Sequence, residues 1–561
     1  MTRGNVTTGP STSVGLLADR ARRYPDRPFV ASMRAGCLIE RFTYREGVAR
    51  IVGIADWLRA FGLAKGDAVV TYLDVGDPGL WFYLGCAAVG VLPVPIGPAF
   101  SVDAVRALAK QSRAKAVFTL PELAGRLSSL GLPILVMSAT PTATPPGSSL
   151  IEPRPVADPL TRIEALAAAI GPDDLYMYQA TSGSTGVPKL VMRRNITFPY
   201  AGRVISAGLG PESEPQIGLV TQSLTHGGGH YSVHVLLHLG GCICLPTNID
   251  VAVSLEEVEV FAPTYIYLAP RIMRALIEAH HGRYDDAAAG APFCGGRLQW
   301  VTIGGAPPDE ALLAEVEAGG IHIVEGYGAT EISVIAVTER GNRRPGWIGK
   351  VLPDVEARIA EDGEVMVRSA YRMAGYYENE ALTREAFDDE GYYHTGDLGE
   401  IDEAGYLRIR GRKRDVFNSS EGSNIYPARI EEMLESLPSI RQVILIGDAR
   451  PYLSALVVPA TSPTSNGQSS VIGQLLEPAT HRALYDQIVR EIATVNPRLE
   501  GFERIRCIAL FAGPFPASVY RTVGQAKVRR DRKKVIEHYA SVVARLYDRE
   551  ASRGMVVPDE L

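Results

Sequence analysis

Residues 181–189 read Thr-Ser-Gly-Ser-Thr-Gly-Val-Pro-Lys and form a glycine-rich loop. Its two glycines let the main chain approach an anion closely. Hydroxyl and main-chain N–H groups can then donate to phosphate oxygens, and Lys189 adds a positive charge. The loop lacks the Gly-Lys-Ser/Thr ending of a Walker A sequence and the Gly-x-Gly-x-x-Gly helix start of a dinucleotide-binding unit. Nine residues in this order favour phosphate binding over the alternative, a flexible Ser/Gly turn.

On either side of the loop, the sequence alternates between buried-strand and helical patterns. Strand runs occur at residues 68–73, 116–120, 134–137 and 265–268, and helical runs include 102–114 and 309–318. This alternation predicts parallel sheets covered by helices. After about Gly363, short strands at 364–368 and 406–410 are joined by tight glycine turns and predict an antiparallel sheet. Residues 138–155, rich in Pro, Thr and Ser, predict a surface loop.

The composition is that of a globular chain with a large core. The 561 residues are 46% hydrophobic and 21% charged, with a net charge of −6, which excludes wholesale disorder. At about 150 residues per domain the length suggests about three to four domains. A pI near 6.0 argues against a general nucleic-acid binder. Six cysteines are too few for a disulfide framework, and we expect them to be reduced in a cytoplasmic protein.

The sequence also bears on targeting. The first 13 residues are polar and lack the apolar segment of a signal peptide. The last four, Pro-Asp-Glu-Leu, lack the Lys of the retention signal. Residues 79–100 carry no charge and could span a membrane. Prolines at 93, 95 and 98 instead favour a helix to about Val89 followed by a short strand. We therefore predict no membrane span.

Four further motifs follow the glycine-rich loop. They are Ile-Gly-Gly-Ala-Pro at 303–307, Glu-Gly-Tyr-Gly-Ala-Thr-Glu at 325–331, Tyr-His-Thr-Gly-Asp at 393–397 and Gly-Arg-Lys-Arg-Asp at 411–415. Together and in this order, the five segments resemble the signature of the adenylate-forming enzymes, which include acyl-CoA synthetases, luciferases and the adenylation domains of peptide synthetases. The resemblance favours the acyl-CoA synthetase, or AMP-dependent carboxylate ligase, branch.

The resemblance implies an α/β fold with two domains. Residues 1–414 would form a large N-terminal domain of stacked, parallel-rich sheets with helices and a β-barrel-like subdomain. Residues 415–561 would form a small, mobile α+β C-terminal lid. Asp415 would be the hinge, because a polar residue at a domain boundary can absorb the backbone rotation of domain closure.

By the same resemblance, most of the motif residues bind ATP or AMP. The β- and γ-phosphates would be held by Thr181, Ser182, Gly183, Ser184, Thr185, Gly186 and Lys189. Adenine would be bound by Gly304, Gly305, Ala306, Glu325, Gly326 and Tyr327. Asp397 would accept hydrogen bonds from both ribose hydroxyls, with Arg412 beside it. Without the family order, Asp397 would be read as an ordinary turn carboxylate.

Activation of a carboxylate by ATP brings two anions together, so the site needs positive charge and a metal. The resemblance assigns Thr330 to the α-phosphate and Glu331 to Mg²⁺, which prefers hard oxygen ligands. The alternative for Glu331 is a charge at a helix N-terminus.

Lys527 is the predicted catalytic lysine, by resemblance to the family's mobile lysine. An ammonium group that reaches both the acyl carboxylate and the α-phosphate would offset their repulsion. The sequence before it, Thr522-Val-Gly-Gln-Ala-Lys527, departs from the family's Thr-x-x-Gly-Lys by one extra residue and by Ala526 in place of Gly. The alternative is a solvated lysine in a basic tail. In the segment 419–424, Gly422 would leave room for the pantetheine arm of coenzyme A.

Four histidines, His226, His230, His234 and His238, recur at every fourth position. On a helix they would share a face and could bind Zn²⁺, but the glycines at 227–229 interrupt the first turn. Residues 224–229, Leu-Thr-His-Gly-Gly-Gly, resemble the family's acyl-site motif, in which His226 would border the carboxylate. Gly227, Gly228 and Gly229, with Gly328, would leave volume for a bulky acyl group. No Asp is placed to hold an α-ammonium group, which disfavours an amino-acid substrate.

The sequence thus predicts a carboxylic acid–CoA ligase that uses ATP, Mg²⁺ and coenzyme A in two steps linked by domain alternation. The substrate would be a bulky, apolar acid. Three alternatives remain open: transfer of the acyl-adenylate to a carrier protein, thioester formation from a preformed adenylate, and a nucleotide sensor without turnover. A homodimer is possible, and no nucleic-acid partner is expected.

Overall fold

The computed structural model describes residues 9–34, 37–73, 76–137, 144–181, 189–209, 215–247, 255–284, 296–305, 310–419, 423–461, 473–516, 519–523, 527–548, 552 and 555–557. The helices in these ranges are α1 (Ser13–Arg23), α2 (Tyr44–Ala60), α3 (Asp77–Val89), α4 (Val102–Gln111), α5 (Pro121–Ala124), α6 (Pro159–Ala168), α7 (Thr197–Ser206), α8 (Gly227–Leu239), α9 (Leu255–Phe261), α10 (Pro270–Tyr284), α11 (Glu310–Ala318), α12 (Glu380–Glu385), α13 (Pro427–Glu435), α14 (Arg482–Val495), α15 (Arg532–His538) and α16 (Ala540–Leu546).

The strands before the glycine-rich loop belong to three sheets. They are β1 (Pro28–Arg34), β2 (Cys37–Thr43), β3 (Ala68–Tyr72), β4 (Leu92–Ile96), β5 (Ala116–Thr119), β6 (Ile134–Val136), β7 (Ser148–Leu150) and β8 (Leu175–Thr181). The order β4-β3-β5-β6-β7 forms a parallel five-stranded sheet. This confirms the strands predicted near 68–73, 116–120 and 134–137.

The strands from the loop to residue 412 build most of the largest sheet. They are β9 (Lys189–Arg194), β10 (Ile217–Val220), β11 (Cys242–Leu245), β12 (Tyr265–Leu268), β13 (Trp300–Gly304), β14 (His322–Ala329), β15 (Ser333–Val337), β16 (Gly349–Val351), β17 (Val355–Ile359), β18 (Glu364–Ser369), β19 (Gly375–Tyr376), β20 (Tyr393–Ile401) and β21 (Tyr406–Arg412). The large sheet has the order β17-β18-β20-β21-β16-β15-β14-β13-β12-β10-β11-β1-β2, and β19-β9-β8 form a small antiparallel sheet.

The large sheet changes from parallel to antiparallel at β14. Strands β1, β11, β10, β12, β13 and β14 run parallel, whereas β14 pairs antiparallel with β15. From there to β17 the pairing is antiparallel, as predicted for residues after Gly363. Because the carboxyl ends of parallel strands share one edge of a sheet, β13 and β14 deliver their glycine-rich ends to the same place.

The residues after 412 form a separate set of elements. The strands are β22 (Phe417–Asn418), β23 (Asn424–Ile425), β24 (Ile440–Ile446), β25 (Leu453–Pro459), β26 (Gln474–Leu476), β27 (Ile505–Ala512), β28 (Tyr520–Val523) and β29 (Lys527–Arg530). Strands β24, β25, β27 and β26 form a mixed sheet. Buried side chains from Phe417 onward make an apolar cluster of their own. The domain boundary at 414/415 stays a prediction.

One loop prediction is partly wrong. Residues 148–150, within the predicted loop 138–155, form β7 and pair in parallel with β6. A Ser-Ser-Leu segment has little strand preference of its own, so the neighbouring strand decides its conformation. Residues 138–143 lie outside the described ranges.

The uncharged stretch at 79–100 forms the second half of the picture at this end of the chain. It folds as predicted into the rest of helix α3, ending at Val89, and strand β4. Among the described residues, no helix is both long and apolar enough to cross a lipid bilayer. The four cysteines in the described ranges are buried and make no disulfide there.

Candidate active site

Asp397 lies at the centre of the best-defined part of the site. It stands on β20 directly opposite Arg412 on β21 and is only 4% exposed. Its carboxylate accepts a hydrogen bond from the Tyr327 hydroxyl at 2.6 Å, and the Arg412 Nε lies 2.9 Å from its other oxygen. Three residues that were assigned to the nucleotide from sequence therefore lie in direct contact.

The surroundings hold this group in one geometry. The Thr395 hydroxyl accepts the Asp397 main-chain N–H at 3.0 Å and donates to the Val365 carbonyl at 2.7 Å. Arg412 also donates to the Thr395 carbonyl at 3.0 Å. Burial, together with the Asp397 charge, raises the pKa of Tyr327 well above its usual value. Tyr327 is thus a permanent donor to Asp397.

The adenine motif lies at the carboxyl ends of β13 and β14, where Gly304 pairs with Gly326. A Cβ at Gly304 would lie 2.6 Å from the Tyr267 hydroxyl, and Gly305 has φ +85°, so both positions favour glycine. The Glu325 side chain points to Arg343 (3.4 Å), and burial raises its pKa to about 7. Any contact of Glu325 with a nucleotide would therefore come from its main chain. Ala306 lies outside the described residues.

Glu331 and Lys189 meet at one aromatic ring. The Tyr376 hydroxyl donates to Glu331 Oε1 at 3.0 Å, and the Lys189 ammonium lies 5.2 Å from the centre of the same ring. Thr181 pairs with Lys189 across β8 and β9, so the two ends of the glycine-rich loop are fixed beside Glu331. Residues 182–188, which include the predicted phosphate ligands Ser182 to Gly186, lie outside the described ranges.

Arg193 is a residue of the site that sequence reasoning missed. It is 1% exposed, and its guanidinium donates to the Thr330 carbonyl and, at 3.2 Å, to the Tyr231 hydroxyl of α8. Its Cζ lies 4.6 Å from the centre of the Phe198 ring. Within the described residues no acidic side chain forms an ion pair with it. The adjacent arginines at 193 and 194 were the only available signal in the sequence.

The acyl-site motif surrounds the start of α8. His226 has an extended backbone (φ −116°) and immediately precedes Gly227, the first residue of the helix, which ends before Gly240 in the left-handed conformation (φ +61°). A Cβ at Gly227 would make ordinary contacts, 3.6 Å from the Tyr231 ring and 3.8 Å from Gln179 Nε2. This glycine therefore has free space beside it.

The predicted volume beside the other glycines is already filled. A Cβ at Gly228 would lie 1.9 Å from Gln222 Oε1, and one at Gly229 would lie 2.5 Å from the Ser223 carbonyl oxygen. A Cβ at Gly328 would lie 2.2 Å from the Ser333 carbonyl oxygen. The premise that these three glycines leave room for a bulky acyl group is therefore wrong. They allow close packing of the protein itself.

His230 and His234 lie in the core and not in a metal site. His230 Nε2 donates to the Leu224 carbonyl at 2.9 Å, and His234 lies between Ser13 Oγ (2.8 Å from Nε2) and the His230 carbonyl (2.7 Å from Nδ1). Burial lowers the pKa of His230 to about 3 and that of His234 to about 4. Hydrogen bonds already occupy the nitrogens that a Zn²⁺ ion would need, so the structure does not favour the metal interpretation.

The predicted C-terminal residues are described only in part. Lys527 begins β29 and pairs with Val523 in a hairpin, and Asp415 ends the short turn Lys413–Asp415 that follows β21. Gly422 and residues 524–526 lie outside the described ranges. The roles of Lys527, Asp415 and Gly422 stay predictions.

Comparison with known proteins identifies the family. A model described as AMP-binding enzyme matches residues 17–377, and one described as AMP-binding enzyme C-terminal domain matches residues 414–551. The chain belongs to the AMP-binding enzyme family. This confirms the resemblance to the adenylate-forming enzymes and their acyl-CoA synthetase branch.

Two curated relatives of this AMP-binding enzyme are CoA ligases by name. Long-chain-fatty-acid–CoA ligase FadD15 of Mycobacterium tuberculosis is 26% identical, with 91% of this chain and 92% of the relative covered. Sulfoacetate–CoA ligase of Cupriavidus necator is 29% identical, with 81% and 89% covered. The two relatives are named for different acids.

Solved structures confirm the α/β fold. The anthranilate CoA ligase AuaEII in complex with anthranoyl-AMP superposes with a TM-score of 0.73 at 18% identity, covering 97% of this chain and 100% of that one. The A domain of carboxylic acid reductase from Segniliparus rugosus, in complex with AMP, gives 0.71 at 20% identity, with 96% and 95% covered.

Proposed function

We propose that this enzyme is an AMP-forming carboxylic acid–CoA ligase. In the first step, a carboxylate oxygen attacks the α-phosphorus of ATP, which forms acyl-AMP and releases pyrophosphate. In the second step, the thiol of coenzyme A attacks the acyl carbonyl carbon, which forms the thioester and releases AMP. The observation that carries the proposal is the contact group of Tyr327, Asp397 and Arg412.

Asp397 suits the ribose because its carboxylate is fixed, buried and still able to accept further bonds. Tyr327 and Arg412 each use one lone-pair direction, whereas a carboxylate has about four acceptor sites. Two vicinal hydroxyls would occupy the remaining sites. Tyr327 would pack against adenine beside the glycine ends of β13 and β14, where added side chains would collide.

Glu331 would hold Mg²⁺. The donor set fits, since Mg²⁺ is commonly bound by one or two carboxylates together with substrate phosphates and water. The ion would neutralise phosphate charge as the pyrophosphate leaves. Lys189, on the other side of the Tyr376 ring, would contact the same phosphates. Thr330, whose carbonyl is fixed by Arg193, would present its hydroxyl to the α-phosphate.

For the second step we propose domain alternation. Residues 415–561 would turn about Asp415, withdraw Lys527 and bring the segment around Gly422 to the coenzyme A thiol. The altered sequence before Lys527 specifically favours one alternative, an enzyme that only forms thioesters from preformed acyl-adenylate. Transfer to a carrier protein, a sensor without turnover, a homodimer and a cytoplasmic location stay predictions.

Separate assays of the two half-reactions test the proposal. ATP–pyrophosphate exchange with a panel of acids measures adenylation, and synthetic acyl-AMP with coenzyme A or a phosphopantetheinyl carrier measures transfer. We expect exchange in the wild type, and a loss of exchange with retained transfer in Lys527→Ala. Lys533→Ala, on the exposed side of α15, is the matched control. ATP binding without exchange for any acid would refute the two-step proposal.

The same panel addresses the acid. A bulky, apolar substrate was predicted mainly from the glycines, and only Gly227 has free space beside it. The size of the acid therefore stays a prediction. Exchange rates along a series from short to long and from alkyl to aryl acids would determine it.

A further inference from the structure

The side chain of Gln179 is a buried amide without a hydrogen-bond partner. Gln179 stands on β8, two residues before Thr181, and is 5% exposed. Its Oε1 is fully buried and has no hydrogen bond to any described residue. Because a buried polar group without a partner is costly, such a group in a native protein calls for an explanation.

The position of this amide places it at the acyl pocket. Its Nε2 lies 3.8 Å from the Cβ position of Gly227, the acyl-motif glycine that has free space beside it. The pairing of Gln179 with Val191 puts its side chain on the face of the β8–β9 hairpin that also carries Arg193. Arg193 contacts Tyr231 on the same helix, one turn after Gly227. Gln179 and Arg193 thus give the pocket a polar wall.

The charge on this wall favours an acceptor over a donor. Arg193 is buried, and none of the described acids neutralises it. A buried cation stabilises electron-rich groups nearby, since the surrounding medium screens it weakly. The amide N–H of Gln179 then meets a group that accepts hydrogen bonds. A purely hydrocarbon acyl chain would leave both the amide and the cation uncompensated.

We propose that Gln179 is a specificity-determining residue, and that its amide donates to an oxygen of the acid other than the reacting carboxylate. The substrate class would be oxygen-substituted carboxylic acids, in which a hydroxyl, keto or second acidic group lies close to the reacting carboxylate. This inference rests on the proposed ligase function. It predicts which acids react, whereas the proposed function predicts only that acids react.

Matched pairs of acids test it by ATP–pyrophosphate exchange. Each pair differs by one oxygen function: benzoate and 2-hydroxybenzoate, butyrate and 2-oxobutyrate, butyrate and succinate. We expect kcat/KM in the wild type to favour the oxygenated member of at least one pair by about tenfold or more, the effect of one hydrogen bond of about 1.4 kcal/mol. The hydroxyl and keto pairs report a neutral acceptor, and the succinate pair reports an anionic one.

Variants at position 179 give the second readout. In Gln179→Leu, which keeps a similar volume, the preference for the oxygenated acid should fall by about tenfold. In Gln179→Glu, the added negative charge should reduce the reaction of the diacid further. Gln474→Leu, at an exposed position of β26, should keep the wild-type ratio. Thermal unfolding of each variant checks that it is folded.

Several outcomes would overturn the inference. A wild type that reacts with plain acids and shows no preference in any pair contradicts it, even if every variant fails to fold. An unchanged ratio in Gln179→Leu contradicts it, and so does an equal loss for both members, which would mean that Gln179 holds the reacting carboxylate. If no acid supports exchange, the proposed ligase function is refuted and this inference with it.

Discussion

The two core histidines of α8 make the stability of the large domain depend on pH. His230 and His234 are buried and neutral, and burial lowers their pKa values to about 3 and about 4, from 6.5. In the unfolded chain both imidazoles titrate near their ordinary value. The unfolded chain therefore binds more protons than the folded chain as the pH falls below about 6.5.

The sign and size of the effect follow from these values. The stability from neutral histidines is complete above about pH 6.5 and is lost progressively as the pH falls toward the folded pKa values. At pH 5.0, about 1.5 units below the unfolded pKa, each histidine favours unfolding by about 2 kcal/mol. The pair contributes about 4 kcal/mol, a large part of the roughly 5–15 kcal/mol that a domain typically has.

Urea unfolding between pH 7.5 and pH 5.0 measures this loss. Tryptophan fluorescence is a suitable signal, because all four tryptophans lie between residues 57 and 347 and report on the large domain. Between these pH values, the free energy of unfolding should fall by about 2 kcal/mol less in His234→Asn than in the wild type. His538→Asn changes an exposed histidine of α15 and should behave like the wild type.

The comparison can fail clearly. If the wild type and His234→Asn lose the same free energy of unfolding over this pH range, His234 is not buried in its neutral form. A wild-type stability that does not change down to pH 5.0 would contradict the placement of both histidines.

Three further predictions concern the site. Tyr327→Phe removes the donor to Asp397, so the Kd for ATP measured by calorimetry should rise by about tenfold; an unchanged Kd would contradict the proposed ribose site. Arg193→Met leaves the Thr330 carbonyl and the Tyr231 hydroxyl without their donor, so pyrophosphate exchange should fall by about tenfold or more. The free energy of unfolding of this variant should change little, since loss of a buried charge offsets the lost bonds; a fully unfolded variant would refute this balance. Gly229→Ala forces a Cβ against the Ser223 carbonyl and should lower stability by about 1–3 kcal/mol in urea unfolding, whereas Gly227→Ala should unfold like the wild type, and equal losses would contradict the packing at Gly229.

The nucleotide residues could be predicted from sequence because their order along the chain was informative. Tyr327, Asp397 and Arg412 were assigned from three separate motifs, and the structure brings them within 2.6–2.9 Å of one another. The pairing of Asp397 with Arg412 follows from the β20–β21 hairpin, in which the two residues stand opposite. Local patterns and short connections were sufficient there.

The remaining features depend on contacts that no local pattern reveals. Arg193 bonds to residues 38 and 137 positions away, and Gln179 was unremarkable in sequence. The glycines at 228 and 229 could be read as empty space or as close packing, and only the positions of Gln222 and Ser223 decide between them. Strand β7 similarly exists because β6 lies beside it. Burial and shape, which arise only in the folded chain, decide all four cases.

The position of β1 and β2 in the large sheet sets an order for synthesis. These strands end at residue 43, but β1 lies between β2 and β11, whose residues 242–245 emerge much later. At roughly 5–20 residues per second, a ribosome takes about 10–40 s to make the intervening stretch of about 200 residues. During that interval the β1–β2 hairpin has an apolar edge with no neighbour to pair with. The newly made chain therefore has a period in which chaperone binding to its first strands would protect it from aggregation.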